Sequence, residues 1–306
     1  MQASEGPLGV EAVDVAVVMV TWNSEQHLPG TLDGMGAALE GIGRWQLVVA
    51  DNASGDGTLA CLARLAPDAL IVRTGGNLGY AGGVNAAVAA APPTRAYLVL
   101  NPDVQLTPGI VRVLSNGLTA QVGVTVPRLT DSAGRLAHSL RREPTVLRAL
   151  GEALLGGHIA GRFPALGEVV RDPTAYDHDS ACDWATGAVL LVSQECMAAA
   201  GPWDESFFLY SEETDFLLRA RDVGYQVHFL PSARAVHEGG ESHVAPLLWS
   251  RLVVNRVRLY RRRHGVLKAS GFWAAVLLGE LLRSAHGGTH RAAVRALVRL
   301  PEKVLG

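Results

Sequence analysis

The residues of this chain whose type and setting suit chemistry are Asp103, His237 and the cluster Glu212, Glu213, Asp215. Asp103 stands just past the apolar run 97–100 and the pair Asn101-Pro102, so a rigid buried strand would carry one carboxylate into a loop that a ligand in a cleft can reach. Asn-Pro-Asp is also good turn chemistry, and a plain turn would account for it equally. Three carboxylates in four positions open the apolar helix that starts near Glu212. A helix N-terminus favours their charge, while crowding them raises a pKa and can make a base. His237 precedes Gly239 and Gly240 at a strand end, a setting that suits a ligand better than core packing.

Strands and loops must bring these groups together. Residues 15–20 form a β-branched run ending in Thr21-Trp22-Asn23-Ser24, followed by a helical stretch over 28–39. Residues 45–50 repeat the pattern and end in Asp51-Asn52-Ala53-Ser54-Gly55-Asp56-Gly57-Thr58, before a helix over 59–65. A third strand, 69–73, runs into the glycine-rich loop 74–83 and a helix reaching 91; the fourth is 97–100. Four strands alternating with helices predict an α/β fold with a doubly wound, mostly parallel sheet, whose carboxyl-end loops share one crevice. Small polar residues and glycine in those loops leave backbone N–H groups open to an anion or a sugar hydroxyl, which points to a nucleotide site. A dinucleotide fold would carry its glycines after the first strand, where this chain has Thr21-Trp22-Asn23, so that reading is excluded.

The second half is less regular. A strand is predicted over 122–126, and Arg141-Arg142 is either a phosphate contact or a solvated edge. A helix is expected over 145–155, then a long, partly mobile connection over 156–179 of the kind that often forms a lid. Trp184, Gly187 and Ala188 lie just before the apolar run 189–192, where an indole face would stack on a sugar ring or pack in the core.

Composition narrows the partners. Residues 1–245 carry a net charge of −12 and residues 246–306 a net charge of +10. An acidic body is a poor nucleic-acid binder, whereas a basic tail containing Leu, Val and Trp suits an anionic membrane surface. The tail is therefore expected to form a basic amphipathic helical extension that anchors peripherally through the six arginines of 251–263, with Trp249 and Trp273 at the headgroup boundary. The alternative is a helical pair packed on the rest of the chain or on a second subunit of a homodimer. Cys61, Cys182 and Cys196 have no CxxC spacing, which argues against a disulfide framework and for a reducing compartment. With neither a signal-peptide pattern nor a long apolar span, the expected location is the cytoplasm, including the inner face of the cell membrane.

The set Val20-Thr21-Trp22-Asn23, Ala50 to Thr58, Gly76-Asn77-Leu78-Gly79-Tyr80, Leu100-Asn101-Pro102-Asp103, Thr186-Gly187-Ala188, Tyr210 to Asp215 and His237 covers about residues 14–245. In that order it resembles an inverting glycosyltransferase of family 2 with a GT-A fold, and most of all the bacterial rhamnosyltransferase branch. The resemblance implies a catalytic domain over 1–245, with a nucleotide-binding half at about 14–105 and an acceptor half at about 106–245, and the extension over 246–306. By position, Thr21, Asn23, Asp51 and Asn52 match the loops holding the donor's base and ribose, and Gly76, Asn77 and Gly79 the third nucleotide loop. Asp103 matches the last position of the D-x-D metal motif, with Asn101 replacing its first aspartate, and His237 a later metal ligand. Glu213 falls where the family's catalytic base is commonly aspartate, with Glu212 and Asp215 as further candidates and Trp184, Gly187 and Ala188 on the acceptor side.

Chemistry gives these residues matching tasks. A nucleotide sugar leaves as a diphosphate, whose charge Mg²⁺ or Mn²⁺ on Asp103 and His237 would neutralise. A carboxylate on the opposite side, Glu213, would take the acceptor's proton and invert the anomeric configuration. The implied donor is dTDP-rhamnose or a UDP-linked sugar, and the implied acceptor a glycan, polyprenyl-linked or small-molecule hydroxyl. A nucleotidyltransferase would need a basic residue between Thr21 and Glu25, and there is none. An inactive carbohydrate-binding protein of the same fold remains the other alternative.

Overall fold

The computed structural model describes residues 11–238 and 245–299. Gly239, Gly240 and both ends of the chain lie outside the described residues. The β-branched sequence Val-Asp-Val-Ala-Val-Val-Met-Val-Thr makes β1 (Val13–Thr21), an inner strand of the sheet, buried on both faces. Val15, Val17 and Met19 enter one hydrophobic core, while Val18 and Val20 enter the other. That alternation is the two-residue period of a strand between two layers of helices.

The helix expected over 28–39 is two, α1 (Leu28–Asp33) and α2 (Met35–Ala38), divided at Gly34. β2 (Trp45–Asp51), α3 (Thr58–Leu65), β3 (Leu70–Arg73), α4 (Gly79–Ala90) and β4 (Thr94–Leu100) complete the nucleotide half. β3, β2, β1 and β4 lie side by side and parallel, as the alternating pattern predicted. Beyond them come β5 (Val104–Leu106), α5 (Ile110–Gly117), β6 (Val122–Thr130) and β7 (Leu140–Arg141). α6 (Val146–Ala160) starts on a Thr145 cap whose side chain accepts from the Arg148 N–H, and kinks at Gly156. β8 (Ser180–Cys182), β9 (Trp184–Ala185), β10 (Val189–Ser193), α7 (Gln194–Ala200), α8 (Glu212–Asp222) and β11 (Gln226–His237) follow. The sheet runs β3-β2-β1-β4-β10-β6-β11-β5, with β8 on β11 and with β10 antiparallel to both neighbours.

The connection expected to be a mobile lid is packed down. Tyr176 is fully buried and its hydroxyl donates to the Val170 carbonyl, while Arg142 donates to the carbonyls of Gly161 and Gly167. Arg142 is thus neither a phosphate contact nor a solvated edge; it ties this segment to the body.

The tail forms three helices, α9 (Pro246–Arg263), α10 (Val266–Arg283) and α11 (Gly288–Val298), around their own small core, which also takes in Ala149 of α6. Its arginines face the acidic body. Arg256 bridges buried Glu152 and Glu168 at 2.7 and 2.6 Å, Arg263 pairs with Asp222, Arg262 with Asp204, and Arg251 lies over the Phe208 ring. Trp249 donates to Glu280 and Trp273 to the Leu297 carbonyl. Of the residues assigned in sequence to a membrane, Trp249, Trp273, Arg251, Arg256, Arg262 and Arg263 have partners within the protein. The opposite charges of body and tail are complementary to each other. No helix among the described residues is long and apolar enough to cross a membrane.

Candidate active site

The loops after β1 and β2 are bound to each other. The Asp51 carboxylate accepts from the Thr21 hydroxyl at 3.0 Å and from the N–H and hydroxyl of Ser54 at 3.1 and 2.5 Å, and it is 2% exposed. Asp51 and Thr21 thus hold the first and second loops together at the carboxyl ends of their strands. Asn23, at φ 52°, accepts from the Gly55 N–H and donates its own N–H to the Ser54 hydroxyl. Asn52 donates to the Gly79 carbonyl and accepts from Thr74, which joins the third loop. There Asn77 accepts from the Gly79 N–H, the space around Gly76 is open, and Gly79 sits at φ 76° against the Phe208 carbonyl. A side chain at Gly79 would be strained by the backbone and would drive into that carbonyl.

Asp103 and His237, far apart in sequence, meet because β5 pairs antiparallel with β11 and sets His237 opposite Val104. His237 Nε2 lies 3.3 Å from Asp103 Oδ2. Burial acts to raise the Asp103 carboxyl, but the hydrogen bond and charge of His237 outweigh it and hold the carboxyl below its ordinary value. Asn101, two residues earlier, donates its N–H to the Ala188 carbonyl, and its Oδ1 is buried with no hydrogen-bond partner among the described residues. One carboxylate, one imidazole and an unmatched amide oxygen fit a hard divalent cation that draws further oxygens from its ligand. No cluster of three or more His, Cys, Asp or Glu suited to a metal occurs among the described residues.

A cavity of about 680 Å³ has Asn101 and His237 on its wall, together with Glu212, Glu213, Trp184, Gly187 and Arg141. Glu213, in the first turn of α8, is half-buried. Gly187 makes room for it: a Cβ there would lie 3.2 Å from Glu213 Cβ. The Oε2 atoms of both Glu212 and Glu213 are buried without a hydrogen-bond partner among the described residues. Burial raises both carboxyls; Glu212 is pushed up to about 8, with the charge of Glu213 as the next cause. Asp215 points elsewhere, to Arg219 Nε at 2.7 Å, as two residues of helix rotation require. Trp184 is 7% exposed and donates to the Arg142 carbonyl, while the Arg141 guanidinium stands 5.7 Å from its ring centre.

The loop that leads into α8 is strained, with Phe208, Tyr210 and Ser211 at φ 63°, 69° and 76°. Such conformations persist where the surroundings over-determine them. Here Asn255 of α9 does so, its amide donating to the carbonyls of Phe207, Leu209 and Tyr210 at 2.8, 2.9 and 3.1 Å. Asn255 escaped the sequence reading; its signal was a buried-pattern asparagine inside a helix of valines and arginines. Tyr80 was read only as part of a motif, yet its hydroxyl donates to the Gly187 carbonyl. Burial, then the charges of Glu212, Glu213 and Asp103, raise its pKa strongly.

Residues 16–165 match the family model described as glycosyl transferase family 2. This stretch of the chain belongs to that family. This glycosyltransferase is 29% identical, over 246 residues, to an N-acetylglucosaminyl-diphospho-decaprenol L-rhamnosyltransferase of Mycobacterium tuberculosis, covering 74% of this chain and 76% of the relative. It is 25% identical, over 229 residues, to the low-salt glycan biosynthesis hexosyltransferase Agl10 of Haloferax volcanii, covering 73% and 67%. Among solved structures, the glycosyltransferase resembles the mannosyltransferase PcManGT from Pyrobaculum calidifontis, solved with GDP-Man and Mn²⁺, at a TM-score of 0.56 and 16% identity over 95% of this chain and 81% of that one. That likeness shows the GT-A fold.

Proposed function

We propose that this glycosyltransferase is inverting and metal-assisted, moving rhamnose from dTDP-rhamnose to a hydroxyl on a lipid-linked glycan. The observation that carries the reading is the convergence of three unmatched buried oxygens, Asn101 Oδ1, Glu212 Oε2 and Glu213 Oε2, on one cavity beside the Asp103–His237 pair. A site with that much unsatisfied acceptor capacity is built for a ligand that brings hydroxyls and a cation. The rhamnosyl donor and the lipid-linked acceptor are supported by the mycobacterial relative, whose name specifies both an L-rhamnosyl transfer and a diphospho-decaprenol acceptor.

Asp103 and His237 would hold a divalent ion, which when bound neutralises the charge of the departing diphosphate. The loops carrying Asn23, Asn52 and Gly76 to Gly79 bind the nucleotide through their backbone. Glu213 accepts the proton of the attacking hydroxyl, and its raised pKa makes it a stronger base than an exposed carboxylate once ionised. Glu212, beside it, is pushed up to about 8 by burial and by the charge of Glu213, and so holds its own proton near neutral pH. Arg141 and Trp184 fix the wall against which the acceptor sugar lies.

The test combines dTDP-rhamnose and UDP-sugars with a lipid-linked acceptor and follows nucleotide release with and without Mg²⁺ or Mn²⁺. Turnover with a UDP-sugar and none with dTDP-rhamnose would overturn the donor. Asp103→Ala is expected to abolish metal-dependent stabilisation by donor in thermal shift, and His237→Ala to weaken it; an unchanged response in both would remove the metal assignment.

A further inference from the structure

α6 is built inside out. Its buried side carries Ala149, Glu152, Ala153 and Ala160, while Leu147, Leu150, Leu154 and Leu155 are exposed, Leu154 at 61%. Leu147, Leu150 and Leu154 follow one another at three- and four-residue spacing, so they make one stripe along the helix. Ile159 and Phe163, each about half exposed, continue the apolar surface past the kink. α10 packs against α6, where Gly279 meets Ala153, and it buries Phe272 with the small residues Ala269, Ala275 and Gly279 while leaving leucines at both of its ends exposed. Leu267 is 88% exposed, and Leu281 and Leu282 also face solvent. Single exposed leucines are ordinary on a protein surface; a run of this kind on two neighbouring helices marks an interaction face.

Charge identifies the partner. α6, α10 and α11 contain two carboxylates, Glu152 and Glu280, and both are buried in ion pairs, with Arg256 and with His290 and Arg283. The exposed charges of α10 and α11 are Lys268, Arg291 and Arg295, all cationic. On a chain whose first 245 residues are strongly acidic, this is the face that an anionic surface would not repel. The inner sides of the same helices, through Ala149, Ala153, Ala275 and Val276, line the cavity that holds Glu212 and Glu213.

We propose that the outer face of α6 and α10 docks on an anionic lipid bilayer, so that the cavity between their inner faces is presented to an acceptor carried in that bilayer. The second half rests on the lipid-linked acceptor proposed above; the first does not, and its test needs neither donor nor acceptor. The full chain is sedimented with vesicles of phosphatidylcholine, with and without phosphatidylglycerol. Binding is expected on the anionic vesicles and is expected to weaken with salt. The pair Leu150→Gln and Leu154→Gln should lower it about tenfold or more, since both side chains lose their partition into the interface. Leu65→Gln, the same change on a remote helix, should leave binding unaltered. If the paired variant melts early, Leu267→Gln alone carries the comparison, because its side chain has almost no native packing to lose. Absence of vesicle binding, or a paired variant that binds as wild type, overturns the proposal. So does a variant that converts a dimer to a monomer, which would make the face a self-association surface. Intact vesicle binding with no rhamnosyl transfer would instead sink the functional reading and leave the surface standing.

Discussion

Replacing Glu212 by glutamine should make the protein more stable at neutral pH. Glu212 is 3% exposed, and burial, with the charge of Glu213 second, raises its carboxyl from 4.5 to about 8. A carboxyl whose folded pKa is raised contributes its full stability below the unfolded value and loses that contribution as pH rises through the folded one. The window is therefore about 4.5 to 8. At pH 7 the unfolded chain has released this proton and the folded chain has kept it, a cost of about 3 kcal/mol at roughly 1.36 kcal/mol per unit over the unfolded value of 4.5. Glutamine has the shape of the protonated acid and never ionises. Glu212→Gln is accordingly expected to match wild type near pH 4.5 and to exceed it by about 3 kcal/mol at pH 7, or about 6 °C in Tm at roughly 2 °C per kcal/mol for a large domain. Thermal melting of both proteins across this range, with exposed Glu40→Gln as control, makes the measurement. If the two melting curves keep a constant offset at every pH, Glu212 is not titrating against a buried site and the reasoning fails.

Three further outcomes are expected. Glu213→Gln should retain donor affinity by thermal shift while losing about 100-fold or more in transfer rate, with Glu213→Asp recovering part of it; near-normal transfer by the amide would move the base elsewhere. Arg256→Met leaves Glu152 and Glu168 buried without a cation, so denaturant unfolding should report a loss of about 3–5 kcal/mol; a loss well below that would mean water reaches the pair. Gly79→Ala forces a Cβ into the Phe208 carbonyl at positive φ, with about 1–2 kcal/mol of backbone strain and weaker donor binding, visible as a raised KM at preserved kcat.

The strands and their carboxyl-end loops were legible because β-branched runs ending in Gly, Asn and Asp carry their own period and stops, and the parallel direction of β1 to β4 follows from alternation with helices. The Asp215–Arg219 pair was legible too, since i to i+4 geometry is local. What could not be read depends on distant partners. Gly34 split a helix because the chain turns there to pack two short segments, and no local pattern says so. The tail's arginines looked like a membrane anchor by composition, yet Arg256 finds Glu152 and Glu168 from 104 and 88 residues away. α6 was predicted as a helix, but periodicity does not reveal which side faces in, and its leucines turned out to be on the outside.

The grip of Asn255 on the strained loop before α8 also has a meaning in time. A ribosome delivers this chain from its N-terminus, so every loop proposed to bind nucleotide is free to fold while the α9 residues are still unmade. Until Asn255 emerges, the carbonyls of Phe207, Leu209 and Tyr210 lack the amide that holds them, and Glu212 and Glu213 have no fixed entry to their helix. The loop before α8, on which Gly79 and Tyr80 also rest through the Phe208 carbonyl, is thus fixed only once α9 has been made.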